Sequence, residues 1–376
     1  MYSFFEFFAG GGMARAGLGE GWECLLANDM SEKKASSYKE NWGGEHLVVA
    51  DVNKIKSKDI PGHADMAWAS FPCQDLSLAG AGAGIRAERS GTFWPFWNLV
   101  KGMVKGDRAP RLVVLENVCG ALTSHAGKDF AAIGSALSRA GYRFGAVVLD
   151  AVDFLPQSRP RLFIVAVRSD VDIPNGLILN QPDAKWHSKA LVHAQSQLTK
   201  SAAKKWLWWS LPAPSKRSED FVDLIEDEPV GVTWHTKKET NNLLSMMTDV
   251  NKAKVTAAKV SGKKMVGGLY RRTRNGVQRA EVRFDGVAGC LRTPTGGSSR
   301  QTILIVEGKK VRSRLLSPRE GARLMGLPDS YILPRNYNES YHLVGDGVAV
   351  PVVSYLAENL LKLILDFNLD REVQAA

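Results

Sequence analysis

Short apolar runs alternate with helix-like stretches through the first 167 residues, and this alternation constrains the fold more than any other feature. The runs include residues 3–8, 66–70 and 112–115, and an amphipathic stretch over 130–140 ends at Gly141. Strands that alternate with helices predict a mostly parallel sheet covered on both faces. In such α/β sheets, ligands bind outside the carboxyl ends of the strands.

The alternation stops after residue 167. Residues 170–312 are long, polar and irregular, whereas regularity returns with the helix start at residues 317–320 and an apolar helix over about 352–367. We therefore expect residues 1–167 and 314–376 to form one α/β domain. Residues 168–313 would form a smaller domain inserted before the C-terminal helices.

The positive charge lies in this insertion. The chain carries 49 Lys and Arg against 39 Asp and Glu, a net charge of +10. Residues 168–313 hold 25 basic and 14 acidic residues, while the rest of the chain holds 24 and 25. A solubilising surface is the simpler explanation, but a polyanion-binding module inserted into a neutral catalytic domain is the stronger hypothesis.

Several classes of protein are disfavoured. No apolar run comes near the ~18 residues of a membrane helix, and the chain opens as an aromatic strand instead of a signal peptide. The four cysteines are too few and too scattered for a disulfide framework and lack zinc-ligand spacing. We expect a soluble, cytoplasmic protein that binds neither metal nor membrane.

A glycine-rich turn follows the first strand. Gly10, Gly11 and Gly12 let the backbone approach a nucleotide-like ligand, although glycine turns open many α/β sheets. Asp29 and Asp51 each end a later strand and would repel a phosphate but accept hydrogen bonds from a nucleoside. S-adenosylmethionine, an adenosine derivative without phosphate, fits this pattern. The glycine spacing disfavours a nicotinamide dehydrogenase.

Three further places carry candidate chemistry. Cys73 follows a strand and the rigid Pro72, where a nucleophile would be placed, although a lone cysteine is more often a buried apolar residue. Glu116 ends an apolar strand, where a carboxylate is costly unless it is paired or used. Arg159 and Arg161 stand at alternate positions before another strand, as catalytic or as structural arginines.

Together, these motifs resemble the cytosine-C5 DNA methyltransferases of the prokaryotic, restriction–modification type, over residues 2 to about 360. The matching segments are residues 7–12, Pro72-Cys73-Gln74, Glu116-Asn117-Val118, residues 157–161, residues 314–331 and residues 345–351. The last motif is usually written Gly-Asn-x-Val, and Asp346 departs from it. The resemblance implies a Rossmann-like S-adenosylmethionine-dependent methyltransferase domain with an inserted target-recognition domain.

The resemblance also implies roles. Cys73 would add to carbon 6 of a flipped cytosine, Glu116 would protonate ring nitrogen 3, and Arg161, with Arg159, would hold the exocyclic oxygen. Phe8 and Phe93 would pack on adenine, with Asp29 on the ribose and Asp51 near the adenine amine. The remaining implied cofactor residues are Ala9, Gly10, Gly12, Met30, Val52, Pro72 and Asp346.

The partner implied is double-stranded DNA. Residues 252–312 hold 15 basic residues against three acidic, and the candidate DNA-binding residues are Arg271, Arg272, Arg274, Arg279 and Arg283. We expect a monomer on DNA, a bacterial or phage origin and a possible cognate restriction endonuclease acting on the same site. A tRNA cytosine-C5 methyltransferase and a catalytically silent DNA-binding relic stay as alternatives. The Cys-Phe-Thr tripeptide usual in the tRNA group is absent, while the two motifs that relics lose are present.

Overall fold

The apolar runs of the N-terminal half become neighbouring strands of one large sheet. The computed structural model describes residues 1–72, 92–274, 276–291 and 300–375. Their contacts divide the chain into two compact units. The first comprises residues 1–150, 160–213 and 352–376, and the second comprises residues 151–159 and 214–351.

The first unit holds the large sheet. Its strands are β1 (Tyr2–Phe7), β2 (Trp22–Asp29), β3 (Leu47–Val49), β4 (Met66–Ser70), β5 (Leu112–Val118), β6 (Tyr142–Asp150), β7 (Pro160–Arg168), β8 (Ile178–Leu179) and β9 (Trp206–Trp209). Among the described residues, these nine strands lie in the order β3-β2-β1-β4-β5-β7-β6-β9-β8. Adjacent strands are parallel within the run β3-β2-β1-β4-β5, whereas β7 is antiparallel to both β5 and β6. The mostly parallel sheet predicted from the sequence is confirmed.

Helices cover this sheet. The helices of the first unit are α1 (Met13–Leu18), α2 (Glu32–Trp42), α3 (Phe93–Lys105), α4 (Lys128–Arg139), α5 (Lys189–Ser196), α6 (Lys200–Ala203), α11 (Val350–Leu356, which begins at the boundary with the second unit) and α12 (Lys362–Ala375). Phe5 and Phe7 of β1 pack in one core cluster with residues of α3 and α4. On the strand's other face, Tyr2 donates a hydrogen bond to Asp366 of α12.

The second unit is built on a separate antiparallel sheet. Within the described residues it comprises β10 (Lys264–Arg274), β11 (Val277–Arg283), β12 (Thr302–Glu307) and β13 (Lys310–Leu315), in the order β11-β10-β12-β13. Its helices are α7 (Lys237–Ser245), α8 (Asp249–Val260), α9 (Pro318–Leu324) and α10 (Tyr337–Asp346). Leu243, Val255, Leu269, Ala280 and Leu304 form the small core between the helices α7 and α8 and one face of the sheet. The segment that looked irregular in the sequence therefore contains regular structure.

The compact units differ from the predicted domain boundaries in three places. Residues 168–213 belong to the first unit, because β8 and β9 extend the large sheet beyond β6. Residues 314–351 belong to the second unit, where Arg314 forms a buried ion pair with Glu320 at 2.6 Å. Residues 151–159 also belong to it, because Gln157 bridges to Ala288. The second unit holds 24 basic and 16 acidic residues, so most of the net charge still lies there.

The C-terminal helical stretch Tyr337–Arg371 is long and apolar enough to span a membrane by length and composition, with a mean hydropathy of 1.6 in its best window. This corrects the expectation that no stretch of the chain would meet that criterion. Of that window, 56% is buried inside the protein. Burial of this kind is that of a core helix, as the complete burial of Leu360, Ile364 and Leu365 illustrates.

Candidate active site

The turn between β1 and α1 has a left-handed backbone at three positions. Phe8, Gly10 and Gly12 have positive φ angles of 60°, 56° and 75°. A Cβ atom added at Gly12 would lie 2.4 Å from Nε1 of Trp42, so a larger residue would clash there. Gly12 also caps the N-terminus of α1. The turn thus places a run of glycines and a helix start together at the carboxyl end of β1.

Asp29 at the end of β2 is bound to this turn. It is 8% exposed, and its two carboxylate oxygens accept hydrogen bonds from the backbone N–H groups of Gly10 (2.9 Å) and Ser31 (2.8 Å). Each oxygen has a second lone pair, so the carboxylate can still accept bonds from a ligand's hydroxyl groups. Met30, the next residue, is 70% exposed.

Asp51 follows β3, the neighbour of β2 in the sheet. Its carboxylate accepts hydrogen bonds from the backbone and the side-chain amide of Asn53, both at 2.9 Å. These bonds lower the pKa of Asp51, so it is ionised at neutral pH. Val52, the next residue, is buried. Two carboxylates and a glycine turn at three adjacent strand ends suit an adenosine without phosphate, which is the chemistry of S-adenosylmethionine.

The segment before Cys73 is held by a residue whose role the sequence did not suggest. Asn117 is 5% exposed and donates a hydrogen bond from Nδ2 to the carbonyl oxygen of Phe71 at 3.0 Å. Its Oδ1 accepts the backbone N–H of Val118 at 2.8 Å. Asn117 therefore fixes the chain two residues before Cys73, which itself lies outside the described residues. A buried amide near the end of an apolar strand is the signal that could have suggested this role.

Phe71 also contacts the start of α3. Its ring lies 5.7 Å from that of Phe93, which is 2% exposed and stacks on Trp97 at 5.9 Å. Pro72 follows at the surface. The adenine contact implied for Phe93 stays a prediction.

Glu116 lies within β5, because the strand continues to Val118 instead of ending at residue 115 as predicted. Its Oε1 is 3.3 Å from Nε of Arg161, and the two side chains are 9% and 14% exposed. Glu116 is opposite Phe163 in the antiparallel β5–β7 pair. Arg161 is two residues from Phe163 and thus shares its face of the sheet. The predicted acid and one predicted arginine are therefore adjacent.

Arg159 has different surroundings. It is 2% exposed, and its guanidinium donates to the carbonyl oxygens of Gly345 (2.8 Å), Gly347 (2.6 Å) and Leu291 (3.2 Å). These contacts, all within the second unit, support the structural alternative for Arg159. Arg161 is the arginine of the motif beside Glu116.

Comparisons with known proteins agree with this geometry. The sequence profile described as "C-5 cytosine-specific DNA methylase" matches residues 2–362. The chain belongs to this family. The resemblance seen in the sequence is confirmed, and the protein is a methyltransferase that uses S-adenosylmethionine.

Individual relatives match over nearly their whole length. The Type II methyltransferase M.HhaI of Haemophilus parahaemolyticus is 26% identical, over 95% of this chain and 93% of its own. The Type II methyltransferase M.NlaX of Neisseria lactamica is 26% identical, over 99% and 100%. The crystal structure of S. pombe Dnmt2 methyltransferase has a TM-score of 0.60 at 17% identity, covering 97% of this chain and 99% of the other. This last similarity concerns the fold alone.

In this C-5 cytosine methyltransferase, the predicted DNA-binding arginines lie on the β10–β11 hairpin. Arg272 is directly opposite Arg279, and Arg271 is opposite Ala280. The side chains of Arg271, Arg272 and Arg279 are exposed, and Arg272 forms a loose pair with Glu281 at 3.5 Å. Arg274 belongs to β10.

Arg283 is engaged within the protein. Its Nε and Nη2 atoms donate to both carboxylate oxygens of Asp285, at 2.5 to 3.1 Å. A fork-like pair of this kind satisfies the guanidinium locally. That Arg283 binds DNA stays a prediction. Among the candidate arginines whose side chains are described, Arg283 has the strongest partner within the protein, and this partner would compete with DNA.

Two further predictions concern other places in the chain. Asp346 ends α10 and is exposed, and its cofactor contact stays a prediction. Among the described residues, no three His, Cys, Asp or Glu side chains form a group that could hold a metal ion.

Proposed function

We propose that the enzyme methylates carbon 5 of a cytosine flipped out of a specific duplex DNA sequence, through a covalent bond between Cys73 and carbon 6. The observation that carries the proposal is the Glu116–Arg161 pair at 3.3 Å, in the same unit as the Phe71–Pro72 segment that Asn117 holds. An acid, a fixed cation and a nucleophile are what cytosine activation requires.

The residues divide the reaction between them. The Cys73 thiolate adds to carbon 6 and forms an S–C6 bond, while the ring electrons move towards carbon 5 and nitrogen 3. Glu116 supplies a proton to nitrogen 3, and Arg161 holds the exocyclic oxygen as negative charge develops. S-adenosylmethionine would supply the electrophilic methyl group to carbon 5, with S-adenosylhomocysteine as the leaving group. Loss of the carbon-5 proton to a base then restores the C5=C6 bond and releases Cys73 as the thiolate, and the nitrogen-3 proton returns to Glu116.

The cofactor would bind at the carboxyl ends of β1, β2 and β3. The glycine turn would approach it through the backbone, Asp29 would accept the ribose hydroxyl groups, and Asp51 would lie near the adenine amine. The hydrogen bonds that fix both carboxylates support these roles, because they hold the acceptors in place before the ligand arrives.

The second unit would provide target recognition. Its net charge of +8 and the exposed arginines of the β10–β11 hairpin support binding to the phosphate backbone. We also propose that the enzyme acts as a cytoplasmic monomer of bacterial or phage origin. A restriction endonuclease with the same recognition sequence is its expected partner, as the Type II names of its relatives suggest.

The test is covalent trapping on DNA that carries 5-fluorocytosine. Fluorine cannot leave as a cation, so the adduct persists and shifts the enzyme on a denaturing gel. Cys73→Ser should give no shifted band and no turnover but should still bind DNA. A shifted band with Cys73→Ser, or none with an active wild type, would contradict the proposed nucleophile.

A second assay separates the alternative functions. Bisulfite sequencing of DNA from expressing cells should reveal both activity and the target sequence. Methylation of tRNA without methylation of DNA would favour the tRNA enzyme. Binding of DNA without methylation of either substrate would favour a silent relic.

A further inference from the structure

A cluster of polar and aromatic side chains lies behind the glycine turn, and the proposed reaction does not use it. Arg15 of α1 donates from Nη1 to the hydroxyl oxygen of Tyr38 (3.1 Å) and to Nε2 of His46 (2.5 Å). Tyr38 and His46 are also within hydrogen-bond distance of each other, at 3.0 Å. We call Arg15, Tyr38, Trp42 and His46 the Arg15 cluster.

Trp42 connects the Arg15 cluster to the turn. Its indole N–H donates to the carbonyl oxygen of Gly11 at 3.0 Å, and the Arg15 guanidinium carbon lies 5.0 Å from the centroid of its ring. The close approach to Gly12 leaves no room for a side chain there. Two side chains therefore hold the turn at successive residues. Asp29 accepts the N–H of Gly10, and Trp42 donates to the carbonyl oxygen of Gly11.

The polarity of the cluster is determined by Arg15. A guanidinium has only donors and stays charged, so Nε2 of His46 must accept its hydrogen bond and the imidazole must be neutral. Burial, followed by the charge of Arg15, lowers the pKa of His46 in agreement with this geometry. Protonation of His46 would turn this acceptor into a donor and place a second cation against Arg15.

We propose that Trp42, Arg15 and His46 are positioning residues of the S-adenosylmethionine site, which hold the Gly10–Gly12 turn in its binding conformation only while His46 is neutral. The inference deepens the proposed function, since it rests on binding of the cofactor at this turn. None of the three residues needs to touch the cofactor.

Other titratable groups face the cluster and must be separated from His46. Burial raises the pKa of Glu6, on β1, to about 8. The charge of Glu6 in turn raises the pKa values of the adjacent Cys24 and Tyr38. The thiol of Cys24 is 3.7 Å from the Tyr38 hydroxyl, and burial raises its pKa to about 12, outside the working range. Glu45 precedes His46 in the loop, and its charge raises the pKa of His46, whereas the charge of Arg15 lowers it. Each of these groups is retained when only His46 is changed.

The first experiment measures cofactor affinity by calorimetry, without DNA. Trp42→Phe keeps an aromatic ring but loses the hydrogen bond to Gly11, and the dissociation constant should rise about 2- to 12-fold, as for one lost hydrogen bond. Trp186→Phe is the matched control, because Trp186 donates the same type of bond to Leu211 at 2.9 Å, beside β6. It should leave the affinity unchanged.

The second experiment follows the same affinity from pH 8 to pH 5. The wild-type dissociation constant should rise on the order of tenfold as His46 protonates below neutral pH. This is the change expected if the pKa of His46 differs by about one unit between the cofactor-bound and the cofactor-free protein. His46→Gln retains an acceptor that cannot be protonated. It should bind like the wild type at pH 8 and show no His46-dependent loss at pH 5, while the titration of Glu6 is common to both.

Hydrogen exchange of the amides of residues 9–13 in the cofactor-free proteins reports on the turn itself. Exchange should accelerate in Trp42→Phe, and in the wild type at pH 5 after correction for intrinsic rates. Equal affinity and exchange in wild type and Trp42→Phe, or parallel pH profiles for wild type and His46→Gln, would overturn the inference. No cofactor binding by folded wild type would instead overturn the proposed cofactor site.

Discussion

Arg161 lies with its Nε 3.3 Å from Oε1 of Glu116, on the neighbouring antiparallel strand. Arg159, two residues earlier in the same motif, is bound to the carbonyl oxygens of Gly345, Gly347 and Leu291. Two arginines that are equivalent in the sequence pattern thus have separate contacts.

This separation predicts opposite phenotypes. Arg161→Ala should slow adduct formation with 5-fluorocytosine DNA by about 10²- to 10³-fold, the weight of one charge-stabilising donor. Arg159→Ala should lower the free energy of unfolding by about 2–4 kcal/mol, because buried carbonyl groups lose a charged donor. Single-turnover trapping and urea denaturation measure the two effects. Identical behaviour of both variants in both assays would contradict the separation.

Asp29 is predicted to matter for the cofactor more than for DNA. Asp29→Ala removes a charged acceptor and also releases the N–H of Gly10, so affinity for S-adenosylmethionine should fall about 10- to 150-fold. The Michaelis constant for DNA should change little. Asp59→Ala, an exposed carboxylate in the same unit, is the control. Unchanged cofactor affinity by calorimetry would remove Asp29 from the site.

The basic hairpin predicts how binding to DNA depends on salt. With about five phosphate contacts, the log–log slope of the association constant against salt should be about −4 to −5. Arg271→Ala and Arg279→Ala should each make it shallower by about 1, whereas Arg283→Ala should have less effect, since Asp285 already binds that guanidinium. Gel-shift titrations at several salt concentrations measure the slope. Equal effects of all three changes would show that Asp285 does not compete.

Glu6 predicts a dependence of stability on pH. Burial raises its pKa in the folded protein from 4.5 to about 8, so the folded state favours the protonated form. Protonated Glu6 therefore contributes to the free energy of unfolding fully below pH 4.5, and this contribution should be lost as the pH rises through 8. Glu6→Gln cannot ionise, and its advantage over wild type should grow by up to about 4–5 kcal/mol between pH 4 and pH 9. Urea denaturation across this range tests it, with the exposed Glu40→Gln as control. A constant difference between variant and wild type would argue against the effect.

The parts of the fold that sequence predicted well are buried parallel strands. Residues 66–70 match β4 to the residue, and residues 112–115 mark the start of β5. Such strands are apolar on both faces and so form uninterrupted runs. By contrast, β2 mixes polar residues such as Glu23 with apolar ones, so the sequence indicated only its end at Asp29 and not its extent.

The second unit was harder to predict because its strands differ in how they are buried. β10 and β11 carry Lys and Arg among their buried residues, which hides the period of two, whereas β12 is buried on both faces. The Asn275-Gly276 dipeptide between β10 and β11 is a strong hairpin signal that the sequence interpretation left unused. The cluster Trp206–Trp209 was assigned to the inserted domain, but it forms β9 of the large sheet.

At the site, the sequence identified residue types better than their contacts. Asp29 and the glycines stand at strand ends as predicted, whereas Glu116 lies within β5. The tasks of Asn117 and Arg159 depend on carbonyl oxygens distant in sequence, such as that of Gly345, which is 186 residues away from Arg159. No local pattern encodes such partners.

The second unit, which we propose provides target recognition, is not one continuous stretch of the chain. Residues 151–159 belong to the second unit although more than 50 residues separate them from its main segment, 214–351. A chimaera that exchanges only residues 214–351 would leave Gln157 facing a foreign Leu324 carbonyl, and Arg159 foreign glycines. Grafts that carry both segments preserve these contacts, so the transferable module is a pair of segments instead of one continuous insert.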